Sequence, residues 1–222
     1  MKKIDTVIFD MDGTVLNTLE DLAASVNHTL RQFGMPGHPE EDYRRFFGNG
    51  IRYALQCAVP EGTPDSLIEE MIPVFRDHYE KHCLDHTKPY EGVPALMKQL
   101  AGQGYKLAIV SNKIDSAVKE LNERFFSEYV KVAIGERNGI RRKPAPDTVL
   151  QAIRELAGSG ATAVYVGDSE VDCRTAENAG IPCISVLWGF RSRGDLEREG
   201  AVLFADTPQQ IPGLLRELTE KN

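Results

Sequence analysis

The sequence predicts an α/β fold in which a parallel sheet carries an inserted all-helical segment. From Pro89 onward, short apolar strands alternate with amphipathic helices, as in right-handed βαβ units and parallel sheets. One earlier apolar run, residues 7–9, has the pattern of a buried strand. Between about residues 18 and 86 only helical patterns occur. The first strand therefore joins the later sheet, and the helical segment is an insertion.

The predicted elements of the insertion are defined by apolar spacing and helix-end signals. Thr18 can cap the first helix, and Gly34 ends it. The helices of the insertion cover residues 18–33, 39–47, 51–58 and 64–82. We expect a core domain formed by residues 1–16 and 87–222 and a helical domain formed by residues 17–86.

The predicted elements after the insertion follow a regular alternation. Gly residues after several apolar stripes indicate helix ends, and β-branched runs indicate buried strands. Strands are predicted over residues 105–110, 130–134, 163–166, 183–187 and 202–204. Helices are predicted around residues 94–102, 118–125, 149–156, 170–179 and 214–218.

Composition and charge exclude several classes of protein. The formal net charge of −7 argues against a surface for nucleic acid or anionic membranes. No apolar run approaches the length of a membrane span, and no secretory signal is visible. The four cysteines show no CxxC spacing and fit reduced thiols in a cytoplasmic protein. We therefore expect a cytoplasmic protein with neither nucleic acid nor membrane as partner.

Polar residues gather where the predicted strands end. Because the carboxyl ends of parallel strands meet at one sheet edge, these residues are expected to converge there. Each group alone is typical of a turn, a helix cap or a solvated patch, and the combination indicates a site. The residues are Asp10 and Asp12 after the first strand, Ser111 and Asn112 after the second, Lys143 in a connection, and Asp168 and Asp172 near the fourth.

The chemistry of this set is that of phosphoryl transfer. Four carboxylates in one cleft repel one another and need a cation, and oxygen ligands without His or Cys favour Mg²⁺. Lys143 is a compact positive charge suited to a phosphate group. The Ser111 hydroxyl and nearby backbone N–H groups can bind the remaining phosphate oxygens.

Four motifs together resemble the haloacid dehalogenase superfamily. They are Asp10-Met11-Asp12-Gly13-Thr14, Ser111-Asn112, Lys143-Pro144 and Gly167-Asp168-Ser169-Glu170-Val171-Asp172. The resemblance implies a Rossmann-like core with a helical cap inserted after the first motif. Pro89-Tyr90-Glu91-Gly92-Val93 and Asn178-Ala179-Gly180-Ile181-Pro182 resemble the phosphoglycolate phosphatase-like branch.

The resemblance also implies roles for the motif residues. Asp10 would be the nucleophile and Asp12 the general acid and base. Ser111, Asn112 and Lys143 would bind the phosphoryl group. Mg²⁺ would be bound through Asp10, the backbone carbonyl of Asp12, Asp168 and Asp172, the last directly or through other groups.

Weaker signals lie in the helical insertion. Asn49 and Arg52 occur where related caps place a substrate-facing loop, although an interhelix turn with a surface Arg explains them equally well. His78, His82 and His86 recur every fourth residue and could share a solvated helix face. A histidine metal site there is an alternative.

The predicted function is hydrolysis of a small phosphorylated metabolite with Mg²⁺ through an aspartyl-phosphate. Phosphoglycolate is the favoured substrate, and pyrophosphate or another phosphate monoester is an alternative. A β-phosphoglucomutase-like sugar phosphomutase would use the same core residues. A receiver-like signalling module would hold phosphate on an Asp, but it would lack Asp12 and the helical insertion. The sequence leaves monomer and homodimer open.

Overall fold

The structure of the chain, a computed structural model, describes residues 3–157 and 161–221. These residues divide into two compact units. One unit combines the chain up to Leu16 with the chain from Pro89 onward, and the other spans Asn17–Lys88. Among the helices of the described ranges, none is both long and apolar enough to cross a membrane.

The elements are numbered in chain order. The strands are β1 (Thr6–Phe9), β2 (Leu16–Asn17), β3 (Lys88–Pro89), β4 (Lys106–Ile114), β5 (Val130–Glu136), β6 (Ala163–Gly167), β7 (Cys183–Val186) and β8 (Phe204–Ala205). The helices are α1 (Leu19–Gln32), α2 (Glu40–Phe46), α3 (Ile51–Ala58), α4 (Asp65–His82), α5 (Val93–Gly102), α6 (Asp115–Phe125), α7 (Asp147–Ala157), α8 (Glu170–Ala179), α9 (Arg193–Arg198) and α10 (Ile211–Lys221). A short 3-10 helix, Pro208–Gln210, precedes α10.

The first unit contains a six-stranded parallel sheet with the order β5-β4-β1-β6-β7-β8. β1 lies in the interior of the sheet, where Phe9 pairs with Ile109 of β4 and Val166 of β6. This register brings the carboxyl ends of β1, β4 and β6 side by side. The first strand thus joins strands that follow the helical segment, and the predicted α/β fold class is confirmed.

The sheet is buried on both faces, which explains why its strands are apolar without alternation. Val7 and Phe9 of β1 pack into the core on one face, and Ile8 packs into the core on the other. All four residues of β1 are buried. Burying such a side chain stabilises the fold by roughly 1.5–3 kcal/mol, so β1 is a firm support for the acidic residues that follow it.

Several strands differ from their predicted bounds, and one α-helix was not predicted. β4 continues through Ile114 instead of ending at residue 110, and β8 is only Phe204–Ala205. The six-residue helix α9 has little apolar pattern and is defined by Ser192, whose side chain accepts a hydrogen bond from the Asp195 backbone N–H. Capping by a side chain rather than a long apolar stripe defines this helix.

The second unit is all-helical and consists of α1 to α4. Aromatic pairs contribute to its core: Tyr43 stacks on Phe47 with ring centroids 5.8 Å apart, and Phe75 stacks on Tyr79 at 5.4 Å. The three histidines predicted to share a helix face do not do so, because α4 ends at His82 and His86 lies beyond it. His78 instead lies between His28 of α1 and His82, at centroid distances of 4.0 and 4.3 Å.

The buried carboxylate of Asp21 binds the backbone at the end of this unit. Asp21 of α1 is 2% exposed and accepts hydrogen bonds from the backbone N–H groups of His86 (2.9 Å) and Thr87 (2.8 Å). The His86 ring Nδ1 lies 2.9 Å from the same carboxylate, which raises the pKa of His86. One side chain therefore satisfies two backbone donors that lie beyond the end of α4.

We expect Asp21→Ala to lower the free energy of unfolding of the Asn17–Lys88 unit by about 2–4 kcal/mol, because two backbone donors lose their acceptor. Urea unfolding and amide exchange at His86 and Thr87 measure this loss. Asp77→Ala is the matched control, since Asp77 is exposed and its one ion pair among the described residues is a surface contact with Lys81. Equal small losses in the two variants would show that Asp21 is not an anchor.

Candidate active site

The loop after β1 brings two acidic residues to the sheet edge. The Asp10 backbone N–H donates to the Val166 carbonyl at 2.9 Å, so the ladder with β6 continues one residue past the strand. Gly13 then turns the chain with a φ of +84°, which favours glycine. A Cβ at this position would overlap the Asp168 carboxylate. The predicted Asp-x-Asp-Gly turn therefore depends on glycine for both its conformation and its space.

A bulge in β4 carries the second set of polar residues. Val110 pairs with Ile134 and Ile114 pairs with Glu136, so three residues of β4 oppose one residue of β5. The intervening residues are Ser111, Asn112 and Lys113, and all three are buried. A regular strand would send consecutive side chains to opposite faces, and a bulge removes this alternation. The bulge thus allows a run of consecutive polar residues at the end of the strand.

Lys143 lies at the centre of the buried charges. Its Nζ atom is 2.6 Å from Asp10 Oδ1, 2.8 Å from Asp172 Oδ1 and 2.9 Å from the Tyr165 hydroxyl. These three contacts use all three donors of an ammonium group. Burial alone would lower the pKa of Lys143, but the adjacent Asp10 and Asp172 outweigh it and raise that pKa. Lys143 is therefore held as a cation.

Two acidic residues follow β6. Asp168 Oδ1 accepts from the Thr14 hydroxyl at 3.1 Å, and its Oδ2 accepts from the Phe190 backbone N–H at 2.6 Å. Asp172, the third residue of α8, accepts from the Ser169 backbone N–H and hydroxyl at 3.1 and 2.6 Å. Both carboxylates are fully enclosed, so their orientation is set by these donors.

Three carboxylates share one buried space. Asp10, Asp168 and Asp172 each offer an oxygen within 4.8 Å of the others. Burial raises the pKa of Asp168 to about 7, and repulsion from Asp172 adds to the effect. Burial also raises the pKa of Asp10, against the opposing effect of Lys143. One ammonium group thus does not balance the negative charge, and buried oxygen ligands in this arrangement suit a hard cation such as Mg²⁺.

The match to known families agrees with this geometry. Residues 7–186 match the family model described as haloacid dehalogenase-like hydrolase. The chain belongs to this family. The match begins in β1 and ends in β7, so it includes every strand that carries a predicted site residue.

Relatives over most of the chain bear one name. The phosphoglycolate phosphatase of Aquifex aeolicus is 30% identical over 83% of this chain and 85% of its own length. The enzyme of the same name from Mesorhizobium japonicum is 30% identical over 90% of this chain and 89% of its own. A solved structure from Lactobacillus delbrueckii subsp. bulgaricus, provisionally named a phosphoglycolate phosphatase, superposes with a TM-score of 0.90 at 36% identity, covering 96% of this chain and 99% of that one.

These findings confirm the predicted family, its phosphoglycolate phosphatase-like branch and the prediction that the chain is an enzyme, a phosphatase. In this haloacid dehalogenase-like hydrolase, four of the predicted site residues lie together in one buried cluster. They are Asp10, Lys143, Asp168 and Asp172. Ser111 and Asn112 lie in the adjoining bulge of β4, and the Asn112 amide donates to the Lys143 carbonyl at 3.0 Å. The individual roles of these residues stay predictions.

Three residues of the site were missed by the sequence reasoning. Lys113 forms an ion pair with Asp12, with 2.8 Å between Nζ and Oδ1. Tyr165 accepts from Lys143 and donates to the Val110 carbonyl at 3.2 Å, and burial raises its pKa so that the phenol stays neutral. Thr14 donates to Asp168. Lys113 had a visible signal, since it continues the polar run after Val110.

The weaker predicted residues lie in the helical unit. Asn49 is in the turn between α2 and α3, and Arg52 is in the first turn of α3. The Arg52 guanidinium is paired with Asp65 at 3.2 Å and Glu69 at 2.7 Å, both on α4.

Trp188 follows β7, and its indole N–H donates to the Thr14 carbonyl at 2.9 Å, so it supports the loop after β1.

Proposed function

We propose that the chain is a Mg²⁺-dependent phosphatase that hydrolyses a small-molecule phosphate monoester through an aspartyl-phosphate on Asp10. The observation that carries this proposal is the buried contact of Asp10 with Lys143 inside a cluster of three carboxylates. A carboxylate is a nucleophile only when its charge is retained, and the ammonium group of Lys143 favours that charge. The same ammonium group would attract the phosphoryl group to the nucleophile.

The acidic cluster fits Mg²⁺ as the resident cation. Asp10 and Asp168 would each provide a carboxylate oxygen, and Asp12 would provide its backbone carbonyl. Both oxygens of Asp172 accept hydrogen bonds, from Lys143 and from Ser169, so we assign Asp172 to holding these groups around the ion. The ion, when bound, supplies positive charge that offsets the carboxylates and the phosphate oxygens.

The remaining residues would handle protons and phosphate oxygens. Asp12 lies two residues after the nucleophile, and we assign it proton donation to the leaving alcohol and proton removal from the attacking water. Ser111, Asn112 and Lys143 would bind the equatorial phosphoryl oxygens, whose negative charge is greatest during transfer. Since the three donors of Lys143 are all in use, phosphate binding would require one of its contacts to be exchanged.

Phosphoglycolate is our proposed substrate, because relatives over most of the chain carry that activity in their names. We propose that the Asn17–Lys88 unit acts as the cap that selects the substrate, with Asn49 and Arg52 as its candidate contacts. Binding of a substrate carboxylate by Arg52 would replace its pairs with Asp65 or Glu69.

The four free thiols support our assignment of the protein to the reducing cytoplasm.

Phosphate release from a substrate panel tests this proposal. The panel contains phosphoglycolate, pyrophosphate, β-glucose 1-phosphate and several sugar phosphates, each measured with Mg²⁺ and with a chelator. We expect turnover with a preference for phosphoglycolate, loss of turnover with the chelator, and recovery when Mg²⁺ is returned. Activity unaffected by chelation would contradict the metal assignment. Formation of glucose 6-phosphate would indicate a phosphomutase, and a persistent phosphoprotein without turnover would indicate a receiver-like module.

A further inference from the structure

We infer that Lys113 is a positioning residue that holds the carboxylate of Asp12 for proton transfer to the leaving group. This inference rests on the proposed function, in which Asp12 is the acid and base. The Lys113 side chain is 3% exposed and that of Asp12 is 18% exposed, with 2.8 Å between Nζ and Oδ1. A buried ammonium group costs several kcal/mol unless it is paired, so this contact is a persistent feature of the site.

Neighbouring groups restrict the backbone of Lys113. Its N–H donates to the Ser111 hydroxyl at 3.2 Å, within the bulge of β4. On the other side, β5 approaches so closely that a Cβ on Gly135 would lie 2.7 Å from the Lys113 carbonyl oxygen and 2.5 Å from the Asp115 Cα. Lys113 therefore extends from a part of the chain that has little freedom to shift, which is what a positioning group requires.

The side chain of Asp12 is more exposed than those of the other acidic residues of the site. Asp168 and Asp172 are each held by two donors from neighbouring backbone or hydroxyl groups, and both are almost fully buried. Asp12 is the more exposed carboxylate of the motif and follows the strand by three residues. Proton transfer requires the carboxylate to reach the leaving oxygen at hydrogen-bond distance, so a loosely held Asp12 would transfer the proton slowly.

The alternative is that Lys113 binds the phosphoryl group itself. The two roles differ in their dependence on the leaving group. Loss of a phosphate-binding cation slows transfer from every ester, whereas loss of a positioned acid slows only those esters whose leaving oxygen must be protonated. Two esters of similar size separate these two roles. The leaving group of benzyl phosphate is an alkoxide, which needs a proton, and the leaving group of p-nitrophenyl phosphate is a stable phenolate.

The experiment compares kcat/KM for these two esters, because kcat/KM includes only the steps up to departure of the leaving group. For Lys113→Met, we expect kcat/KM to fall roughly 10²-fold with benzyl phosphate and less than about threefold with p-nitrophenyl phosphate, as expected when acid catalysis is lost. Asp12→Asn should show the same split. Lys113→Arg should restore most of the benzyl phosphate activity, and Lys106→Met, at the exposed beginning of β4, should match the wild type.

Each outcome decides a separate question. Equal losses of kcat/KM with both esters in Lys113→Met, or no rescue by Arg, would overturn the positioning role and assign Lys113 to phosphate binding or to folding. No loss with either ester would overturn any role. If Asp12→Asn itself lacks the split, the acid and base role that the proposed function assigns to Asp12 fails, rather than the inference about Lys113 alone.

Discussion

Asp10→Asn is expected to reduce turnover roughly 10⁵-fold or more, because an amide cannot replace a carboxylate as the nucleophile. The substitution preserves the size of the side chain and keeps one oxygen that can accept from Lys143 Nζ, which lies 2.6 Å from Asp10 Oδ1 in the native protein. The fold should therefore persist while the chemistry is lost. The backbone hydrogen bond from residue 10 to Val166 is unaffected by the change.

Two measurements check this result. Phosphate release with the preferred substrate gives the loss of turnover, and acid-quenched mass spectrometry detects the aspartyl-phosphate, which should be absent from the variant. Asp206→Asn is the matched control, because Asp206 is an exposed carboxylate of the same unit that contacts only Arg193 within 4 Å in the described ion pairs. Turnover by Asp10→Asn within tenfold of the wild type would exclude Asp10 as the nucleophile.

Most of the site was predictable because acidic residues at the end of a buried strand conflict with burial. The run 7–9 is apolar on every residue, so Asp10 has no place in the pattern unless it has a partner. The same reasoning applies to Asp168 after β6. The carboxyl ends of parallel strands lie at one edge of the sheet, so the charged residues that follow them lie close together. This is why Asp10, Lys143 and Asp168 were expected to meet.

The residues that were missed depend on tertiary pairing. Lys113 belongs to the site because β4 bulges against β5, and a bulge is set by how two distant strands pair rather than by local sequence. Tyr165 lies inside a fully buried strand, where the sequence cannot distinguish an aromatic core residue from one whose hydroxyl binds a lysine. The length of β4 was underestimated for the same reason that Lys113 was missed. In the sequence, polar residues inside a bulge resemble the end of a strand.

The cost of the buried charges determines how the metal-free protein should respond to pH. Burial and Asp172 raise the pKa of Asp168 from 3.8 to about 7, so the folded chain binds this proton more tightly than the unfolded chain. The stabilising effect of the proton is complete below about pH 4 and is lost as pH rises through 7. Because each pKa unit corresponds to about 1.4 kcal/mol, Asp168 alone would lower the free energy of unfolding by on the order of 4 kcal/mol over this range.

Asp168→Asn is therefore expected to change activity and stability in opposite directions. Loss of the carboxylate that we propose as a Mg²⁺ ligand should lower turnover roughly 10³-fold or more, since the charge of the metal ion would be worth several kcal/mol to the reaction. In metal-free solution at pH 8, the free energy of unfolding should rise by about 1–3 kcal/mol, because a buried repulsive charge is removed. At pH 5, where the native carboxyl group is protonated, the gain should disappear.

Urea unfolding at pH 5 and pH 8, with a chelator and with excess Mg²⁺, measures these effects. Mg²⁺ should stabilise the wild type at pH 8 by mass action and should leave Asp168→Asn almost unchanged. Asp206→Asn should respond to Mg²⁺ and pH as the wild type does, because its carboxylate is exposed. A variant that is less stable than the wild type at pH 8 without metal would show that the hydrogen bonds from Thr14 and Phe190 outweigh the repulsion, and that this carboxylate is held at no net cost.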